Sequence, residues 1–256
     1  MSADISYVEQ SGVATITIDR PEVLNAFREQ TMHELIEAFD TADASKAGVV
    51  VLTGAGDKAF SSGGDVAMEG EFDPAEGRRM ARLLARLAEA IRGTGKPVIA
   101  KIRGWCVGGG NELNLMCDLA IAADDARFRH TDAKLGSSPI WYATQLLPLS
   151  VGLRRTKEIL MLGEAMSAVE AQQIGWINKV VPAAELDDAT QQWCERLLAA
   201  SPQALRLTKI SLEFQADMLT PSVRHGFEAL TYIYGTEEFR EGTAAYLDKR
   251  PPRFGR

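Results

Sequence analysis

One stretch of the sequence decides the fold: Val107-Gly108-Gly109-Gly110-Asn111-Glu112-Leu113-Asn114-Leu115-Met116-Cys117-Asp118. It follows the apolar run 97–102 and leads into a segment with helical spacing. Three glycines at a strand-to-helix turn leave bare backbone amides at a helix N-terminus, where partial positive charge accumulates. The pattern predicts a site for an anion or an oxyanion, and Glu112 adds a carboxylate in the first helical turn beside it.

A purely structural role would also account for this stretch. The glycines could serve only for close packing of a helix on a strand, and Glu112 could be an exposed carboxylate favoured by the helix dipole. Known nucleotide-binding patterns do not fit. The third glycine position of a dinucleotide fingerprint is occupied by Leu113, and no Gly-Lys-Ser/Thr follows for a phosphate-binding loop.

Length and composition indicate an ordinary soluble globular protein. Its 256 residues allow one large domain with a smaller appendage, and 46% hydrophobic with 25% charged residues is typical of globular proteins. No apolar run is long enough to cross a bilayer, and residues 1–4 lack the basic and apolar regions of a signal peptide. We therefore expect a cytoplasmic protein without a membrane partner.

Charge and cysteine usage exclude several classes of function. A net charge of −7 argues against a nucleic-acid partner. Cys106, Cys117 and Cys194 are odd in number and widely spaced, so neither a disulfide framework nor a zinc site is indicated. The histidines at 33, 130 and 225 share no ligand spacing, and no metal is expected.

The first part of the chain alternates strands and helices. Strands are predicted at 5–10, 13–19, 48–53, 97–102, 119–123 and 176–181, and helices at 29–42, 78–92, 152–163 and 167–173. Residues 128–139 look like a loop. The alternation predicts an α/β fold built from ββα or βαβ units.

From residue 185 onward the pattern becomes helical, with helices predicted at 185–199, 202–217, 221–234 and 236–248. We therefore divide the chain into a catalytic core, 1–184, and an α-helical oligomerisation region, 185–256. Phe227, Leu230, Tyr232 and Ile233 are predicted to leave apolar surface exposed on one of these helices. Such a patch indicates self-association.

A second glycine turn follows a strand in Ala59-Phe60-Ser61-Ser62-Gly63-Gly64-Asp65. Like the first, it can present free backbone amides. As an isolated motif it is better explained as a plain turn with Asp65 as a helix cap.

Together, five motifs resemble the crotonase, or enoyl-CoA hydratase/isomerase, superfamily. They are Asp19-Arg20-Pro21 with Leu24-Asn25-Ala26, then 60–65, then 108–118, then the helix-turn-strand at 168–178, and Phe239-Arg240-Glu241-Gly242 through Asp248-Lys249-Arg250. They occur in the family's order along nearly the whole chain. The resemblance implies a spiral of ββα units and C-terminal helices that form a homotrimer or a dimer of trimers. It also implies an acyl-CoA thioester substrate and no separate cofactor.

By the same resemblance, the amides of Gly64 and Gly109 hold the thioester carbonyl oxygen as it becomes an enolate. Preorganised donors of this kind supply roughly 3 to 4 kcal/mol each. The neighbouring residues are predicted to bind the substrate: Ser62, Gly63, Asp65, Gly108 and Gly110.

Two carboxylates are the candidate acid/base groups. Glu112 matches a catalytic glutamate of the hydratases, and Asp132 stands where their second glutamate is usual. Aspartate is one methylene shorter, and a displacement of about 1 Å can cost on the order of a hundredfold in rate.

The segment that follows departs from the hydratase pattern. Where a glycine-rich run is usual, this chain has Pro139-Ile140-Trp141-Tyr142-Ala143. Simple repacking would account for the change. Alternatively, the acyl group is unusual, with Ser138, Trp141 and Tyr142 meeting a cyclic or polar chain.

Coenzyme A contacts are harder to assign, because Glu22 and Val23 replace a basic residue that many relatives carry after the Arg-Pro. Arg20, and Lys249 or Arg250 from a neighbouring subunit, are candidates on charge alone.

The sequence thus predicts a lyase of the enoyl-CoA hydratase type. The alternatives are a hydrolase cleaving a cyclic β-keto acyl-CoA, a double-bond isomerase that uses Glu112 alone, and a non-catalytic acyl-CoA binder.

Overall fold

The computed structural model describes residues 3–255. Its strands are β1 (Ile5–Gln10), β2 (Val13–Ile18), β3 (Val49–Gly54), β4 (Ala59–Ser61), β5 (Val98–Ile102), β6 (Trp105–Val107), β7 (Leu119–Ala123), β8 (Arg127–Arg129), β9 (Met166–Ser167) and β10 (Lys179–Val181).

The helices are α1 (Glu29–Ala44), α2 (Val66–Glu69), α3 (Pro74–Gly93), α4 (Gly109–Met116), α5 (Ala143–Val151), α6 (Leu153–Leu162), α7 (Ala168–Gln173), α8 (Leu186–Leu198), α9 (Pro202–Asp217), α10 (Thr220–Thr231) and α11 (Glu237–Leu247). Short 3-10 helices lie at Pro21–Val23, Asp132–Leu135 and Ala183–Glu185.

Two sheets organise the chain. The six-stranded sheet has the order β1-β2-β3-β5-β7-β10, and the four-stranded sheet has the order β4-β6-β8-β9. The pairs β3/β4, β5/β6 and β7/β8 each send their first strand to the larger sheet and their second to the smaller one, with helices after the pair. This is a spiral of ββα units, as the sequence predicts. Because β4 and β6 are parallel neighbours, the turns that follow them lie side by side.

The apolar strand β3 is buried on both faces, because helices cover both sides of the larger sheet. Val50 and Leu52 face the main core with α1 and α3, whereas Val49 and Val51 face a second cluster with Leu186 of α8. Helix α8 therefore completes the core although it lies beyond residue 184. The division into a catalytic core and a helical region stays a prediction.

Several boundaries differ from the predicted ones for local reasons. Helix α3 begins at Pro74 because the Asp73 side chain accepts hydrogen bonds from the amides of Ala75 and Glu76 at 2.7 and 2.8 Å, which forms a capping box. The predicted loop 128–139 contains most of β8 and the 3-10 helix Asp132–Leu135.

The apolar surface of the C-terminal helices is not where the sequence predicts it. Phe227 and Leu230 are buried, and Tyr232 alone of the predicted patch is largely exposed. The large exposed apolar side chains of this region lie mainly on α9, and they are Leu207, Ile210, Leu212 and Phe214, with Met218 just after it. None of the helices within residues 3–255 is long and apolar enough to span a membrane.

Candidate active site

The two glycine turns pack against each other. A Cβ atom built on Gly63 would lie 2.8 Å from the amide nitrogen of Gly109, and Gly63 has φ +91°, a conformation that side chains disfavour. Gly108 also has a positive φ, +50°, at the turn into α4. Glycine is required in both turns so that the two backbones can approach each other.

The amides of Gly64 and Gly109 are left without acceptors in the described part of the chain. Gly109 is the first residue of α4, where no earlier helical carbonyl is available. On either side of Gly64, the carbonyl of Gly63 accepts from Phe27 at 2.9 Å and the amide of Asp65 donates to Phe27 at 3.1 Å. Both free amides belong to residues that line one pocket.

Asn25 holds the first glycine turn in place. This buried side chain accepts a hydrogen bond from the amide of Arg20 at 3.0 Å and donates to the carbonyl of Ala59 at 2.7 Å. The carbonyl of Asn25 accepts from the hydroxyl of Ser61 at 2.8 Å. The Leu24-Asn25-Ala26 motif therefore ties the N-terminal loop to the strand that leads into Gly63 and Gly64.

The pocket has a volume of about 250 Å³. Leu24, Ser62 and Trp105 are among its solvent-accessible lining residues, and its walls are largely apolar. The apolar lining residues include Phe27, Met80, Leu84, Ile140, Trp141, Phe227 and Leu230. Three carboxyl groups, those of Glu69, Glu112 and Asp132, line the same space.

Glu112 lies in the first turn of α4 with 5% of its surface exposed. One carboxyl oxygen accepts a hydrogen bond from the amide of Ala143 at 3.4 Å. Burial raises the pKa of Glu112 well above its ordinary value, and the charge of Asp132 raises it further. Burial therefore favours the protonated form of this carboxyl group.

Asp132 is the first residue of the 3-10 helix and lies beside His130. Nδ1 of His130 is 3.4 Å from Oδ2 of Asp132, and Nε2 is buried without a partner among residues 3–255. We assign the proton to Nδ1, since this tautomer satisfies the contact with the carboxylate. The ring of His130 stacks on Trp176 with 6.0 Å between centroids, which holds it in place. The sequence did not indicate this role, because the spacing of the histidines bears only on metal binding.

Glu69 is a pocket residue that the sequence patterns did not reveal. It ends the short helix α2, in a stretch whose charged composition indicates flexible surface. Burial raises the pKa of Glu69 to about 7, and the charges of Asp132 and Asp65 contribute. The charge of Asp132 thus raises the pKa values of both Glu69 and Glu112.

Tyr234 is a second pocket residue that the sequence patterns did not reveal. Its ring packs edge-on against Phe72 and Phe239 with centroids 5.5 and 5.2 Å away. Burial raises the pKa of the Tyr234 hydroxyl, and the charges of Glu69 and then Glu112 raise it further. Tyr234 thus lines the same pocket as both glutamates, although it comes from the C-terminal helical region.

Of the remaining residues predicted to bind substrate, Ser62, Gly108, Ser138 and Trp141 line the pocket. The indole of Trp141 donates to the carbonyl of Leu84 at 2.9 Å, so it forms part of the wall between α3 and α5. The bulky 139–143 segment therefore narrows the pocket at Trp141.

Tyr142, also predicted to bind substrate, lies apart from the other predicted residues. It does not line this pocket, because its hydroxyl accepts a hydrogen bond from Arg92 at 3.1 Å and its ring lies under the same guanidinium. Arg92 in turn pairs with Glu213 and Asp217 of α9. Tyr142 thus joins α5 to the C-terminal helix α9 through Arg92.

Arg20 and Asp65 are also turned inward. The guanidinium of Arg20 is buried, donates to the carbonyl of Ala26 and lies 3.5 Å from the carboxylate of Asp65. Arg20 is therefore not assigned as a phosphate ligand. Gly63 and Gly110 lie behind the pocket, where a Cβ on Gly110 would overlap the carbonyl oxygen of Ser61. Lys249 is exposed after α11.

No group of three or more His, Cys, Asp or Glu side chains within residues 3–255 is arranged to hold a metal ion.

Comparison with known proteins places this chain in a family. The profile of the enoyl-CoA hydratase/isomerase family matches residues 8–256. An enoyl-CoA hydratase from Mycobacterium avium subsp. paratuberculosis K-10 is similar with a TM-score of 0.91 and 27% identity over 99% of both chains.

Two further solved structures are similar over nearly their whole length. An enoyl-CoA hydratase/isomerase from Xanthobacter autotrophicus Py2 has a TM-score of 0.89 and 31% identity over 100% of both chains. An enoyl-CoA hydratase from Bacillus anthracis has a TM-score of 0.79 and 32% identity over 98% of both chains. The chain belongs to the enoyl-CoA hydratase/isomerase family and has the crotonase fold.

Proposed function

We propose that this protein is an enoyl-CoA hydratase that adds water across the conjugated double bond of a 2-enoyl-CoA thioester. The observation that carries the proposal is the convergence of two free amides, Gly64 and Gly109, with Glu112 and Asp132 in one pocket. Coenzyme A enters as part of the substrate, and no separate cofactor is proposed. The hydratase names of the similar structures support the same reaction.

In this proposal the two amides bind the thioester carbonyl oxygen. When water attacks the β-carbon, the electron pair of the double bond moves towards the carbonyl and negative charge develops on that oxygen. Fixed N–H donors stabilise the enolate more than the neutral thioester, so the barrier falls. The free amide at the start of α4 also lies at the positive end of the helix dipole.

Asp132 and Glu112 divide the proton transfers. Asp132, held by His130, accepts a proton from water as the water oxygen bonds to the β-carbon. Glu112 is assigned as the acid, because burial raises its pKa and so favours the protonated form, and it delivers its proton to the α-carbon as the enolate collapses. The product is a 3-hydroxyacyl-CoA, and a proton returning from Asp132 to Glu112 through solvent restores the starting state.

The reaction is tested by incubating the protein with linear and cyclic 2-enoyl-CoA thioesters and following the absorbance of the conjugated enoyl group. We expect absorbance loss and a product heavier by one water. Mass analysis also separates the alternatives: isomerisation leaves the mass unchanged, whereas hydrolysis of a cyclic β-keto acyl-CoA adds water to a substrate that has no enoyl group. No turnover of any 2-enoyl-CoA would contradict the proposal.

Glu112→Gln tests the assignment of the acid. Acid/base catalysis contributes typically 10²- to 10⁴-fold, so we expect a loss of kcat in this range with little change in acyl-CoA binding. Glu164→Gln, at an exposed position, is the matched control and keeps its activity. Unchanged turnover in Glu112→Gln would show that another group delivers the proton.

We further propose a homotrimer or a dimer of trimers. The support is that α9 exposes several large apolar side chains, among them Leu207, Leu212 and Phe214, and exposed apolar clusters mark interaction sites. Sedimentation equilibrium measures the mass directly, and a monomer at micromolar concentration would contradict this assembly. Lys249 remains a proposed contact for the coenzyme A phosphates, and its substitution by Met is expected to raise KM only.

A further inference from the structure

Two polar groups in the pocket have no hydrogen-bond partner within the described chain. They are the carboxyl of Glu69 and the hydroxyl of Tyr234, and both residues line the cavity. The proposed hydration uses Gly64, Gly109, Glu112 and Asp132 and needs neither of them. Neither group is among the side-chain atoms of residues 3–255 that are sealed from solvent without a partner. A ligand that displaces water from them without replacing the lost hydrogen bonds is therefore disfavoured.

The backbone fixes Glu69 at this place. Its amide donates to the carbonyl of Asp65 at 2.9 Å, and its carbonyl accepts from the amide of Phe72 at 3.0 Å. Phe72 is itself buried in the main core. The carboxyl reaches the space beside Gly64, where a Cβ atom on residue 64 would overlap Oε1. Glu69 is therefore held next to the proposed binding point of the thioester.

Tyr234 is fixed from the opposite end of the chain. Its ring lies against Gly77, where an added Cβ atom would overlap the ring, and it is wedged between Phe72 and Phe239. This packing leaves the ring no room to swing away. Tyr234 lines the same pocket as Glu69, and its ring packs on Phe72, whose amide donates to the carbonyl of Glu69.

The protein around the Glu69 carboxyl and the Tyr234 hydroxyl supplies neither group with a hydrogen-bond partner within residues 3–255. Many of the residues that line the pocket with them are apolar, among them Met80, Leu84 and Leu230. The charges that act on Glu69, those of Asp132 and Asp65, are negative like its own. A plain hydrocarbon chain in this space would displace water from Glu69 and Tyr234 and leave both unpaired. An acyl chain that carries an oxygen would pair with them.

We propose that Glu69 and Tyr234 are specificity-determining residues that hydrogen-bond a hydroxyl or carbonyl oxygen carried by the acyl chain beyond its β-carbon. The substrate class is then an oxygen-bearing acyl-CoA, and simple fatty acyl-CoA is disfavoured. The inference rests on the proposed acyl-CoA function. It requires no proton transfer by either residue, since each only binds the chain.

The test measures binding, so that it does not depend on turnover. Isothermal titration calorimetry compares octanoyl-CoA with a series of hydroxyoctanoyl-CoA isomers, each with its hydroxyl at one carbon beyond the third. These saturated thioesters have no conjugated double bond to hydrate. We expect at least one hydroxyl isomer to bind about tenfold more tightly than octanoyl-CoA, the ratio expected for one well-placed hydrogen bond.

The variants Glu69→Leu and Tyr234→Phe are each expected to reduce this preference to about threefold or less, mainly by weakening the hydroxyl isomer. Glu69→Gln keeps a donor and an acceptor and is expected to retain most of the preference. Glu71→Gln, exposed in the same segment, is the matched control without effect. The near-isosteric Gln and Phe variants keep the test valid if Glu69→Leu fails to fold.

Equal affinity of the unaltered protein for all the ligands would overturn the inference, as would equal weakening of every ligand by Tyr234→Phe. A clear preference for a hydroxyl isomer together with no hydration of any enoyl-CoA would reject the hydratase proposal and leave the specificity role standing. Hydration of an enoyl-CoA without any preference for a hydroxyl isomer would reject the specificity role and leave the hydratase proposal standing.

Discussion

The carboxyl of Glu69 occupies the space beside the Cα atom of Gly64, so that a side chain at position 64 would overlap Oε1 of Glu69. The two residues are five positions apart, across the turn into α2. The absence of a side chain at 64 thus makes room for the acid at 69. A side chain added at Gly64, the proposed oxyanion donor, would therefore displace the carboxyl of Glu69, the proposed specificity residue.

Gly64→Ala is expected to displace the Glu69 carboxyl without unfolding the protein, because the overlapping atom is the end of a flexible side chain. The preference for a hydroxyacyl-CoA should fall as far as in Glu69→Leu, and the double variant should show no further fall, since coupled sites are not additive. Calorimetric titration of the three variants measures this. Additive losses would show that residues 64 and 69 act independently.

Glu69→Gln is expected to change how stability depends on pH. The pKa of Glu69 is raised from 4.5 to about 7 in the folded state, so between these values the unfolded chain has lost the proton that the folded protein keeps. Folding stability therefore falls as pH rises through this window, by up to about 1.4 kcal/mol per pH unit from this group, and levels off above it.

Glu69→Gln has no titrating group at this position, so its stability does not fall in this window. The unfolding free energy of the variant minus that of the unaltered protein should therefore grow from pH 4.5 to 7 and then stay constant. Urea denaturation of both proteins across this range measures the difference. A constant difference at all pH values would show that Glu69 titrates normally.

His130→Phe keeps the ring stacked on Trp176 and removes the N–H that faces Asp132. We expect kcat for hydration to fall by about tenfold to a hundredfold, because the carboxylate loses its alignment, while KM changes little. His130→Gln, which retains a donor, should recover part of kcat. Steady-state kinetics test this, with the exposed His225→Phe as control. A rise in KM alone would reject a role in positioning Asp132.

Gly110→Ala is expected to destabilise the protein by about 1 to 3 kcal/mol, because the new Cβ overlaps the backbone carbonyl of Ser61, which cannot move aside cheaply. Catalysis should fall as well, since the two glycine turns are forced apart. Gly93→Ala is the matched control, because nothing lies within 4 Å of its added Cβ. Chemical denaturation should leave that variant unchanged or slightly more stable. Equal stability of the two variants would contradict the close packing at Gly110.

Local patterns in the sequence were sufficient for the framework of the fold. The apolar run at β3 predicts a strand buried on both faces, and the helical spacing of α1 predicts a helix with one buried side. Boundaries were harder to predict where a single cap decides them, as Asp73 does for α3. The predicted exposure of Phe227 failed because burial depends on α3, which lies far away in sequence.

The sequence by itself determined the two glycine turns and the carboxylate of Glu112, since a free amide at a helix start and a side chain in the first turn are local properties of the backbone. Only the tertiary structure decided what surrounds them. Glu69, His130 and Tyr234 reach the pocket or its carboxylates through packing between distant segments, and Tyr142 leaves it for the same reason. Contacts between residues far apart in the chain have no local pattern, so composition and periodicity do not predict them.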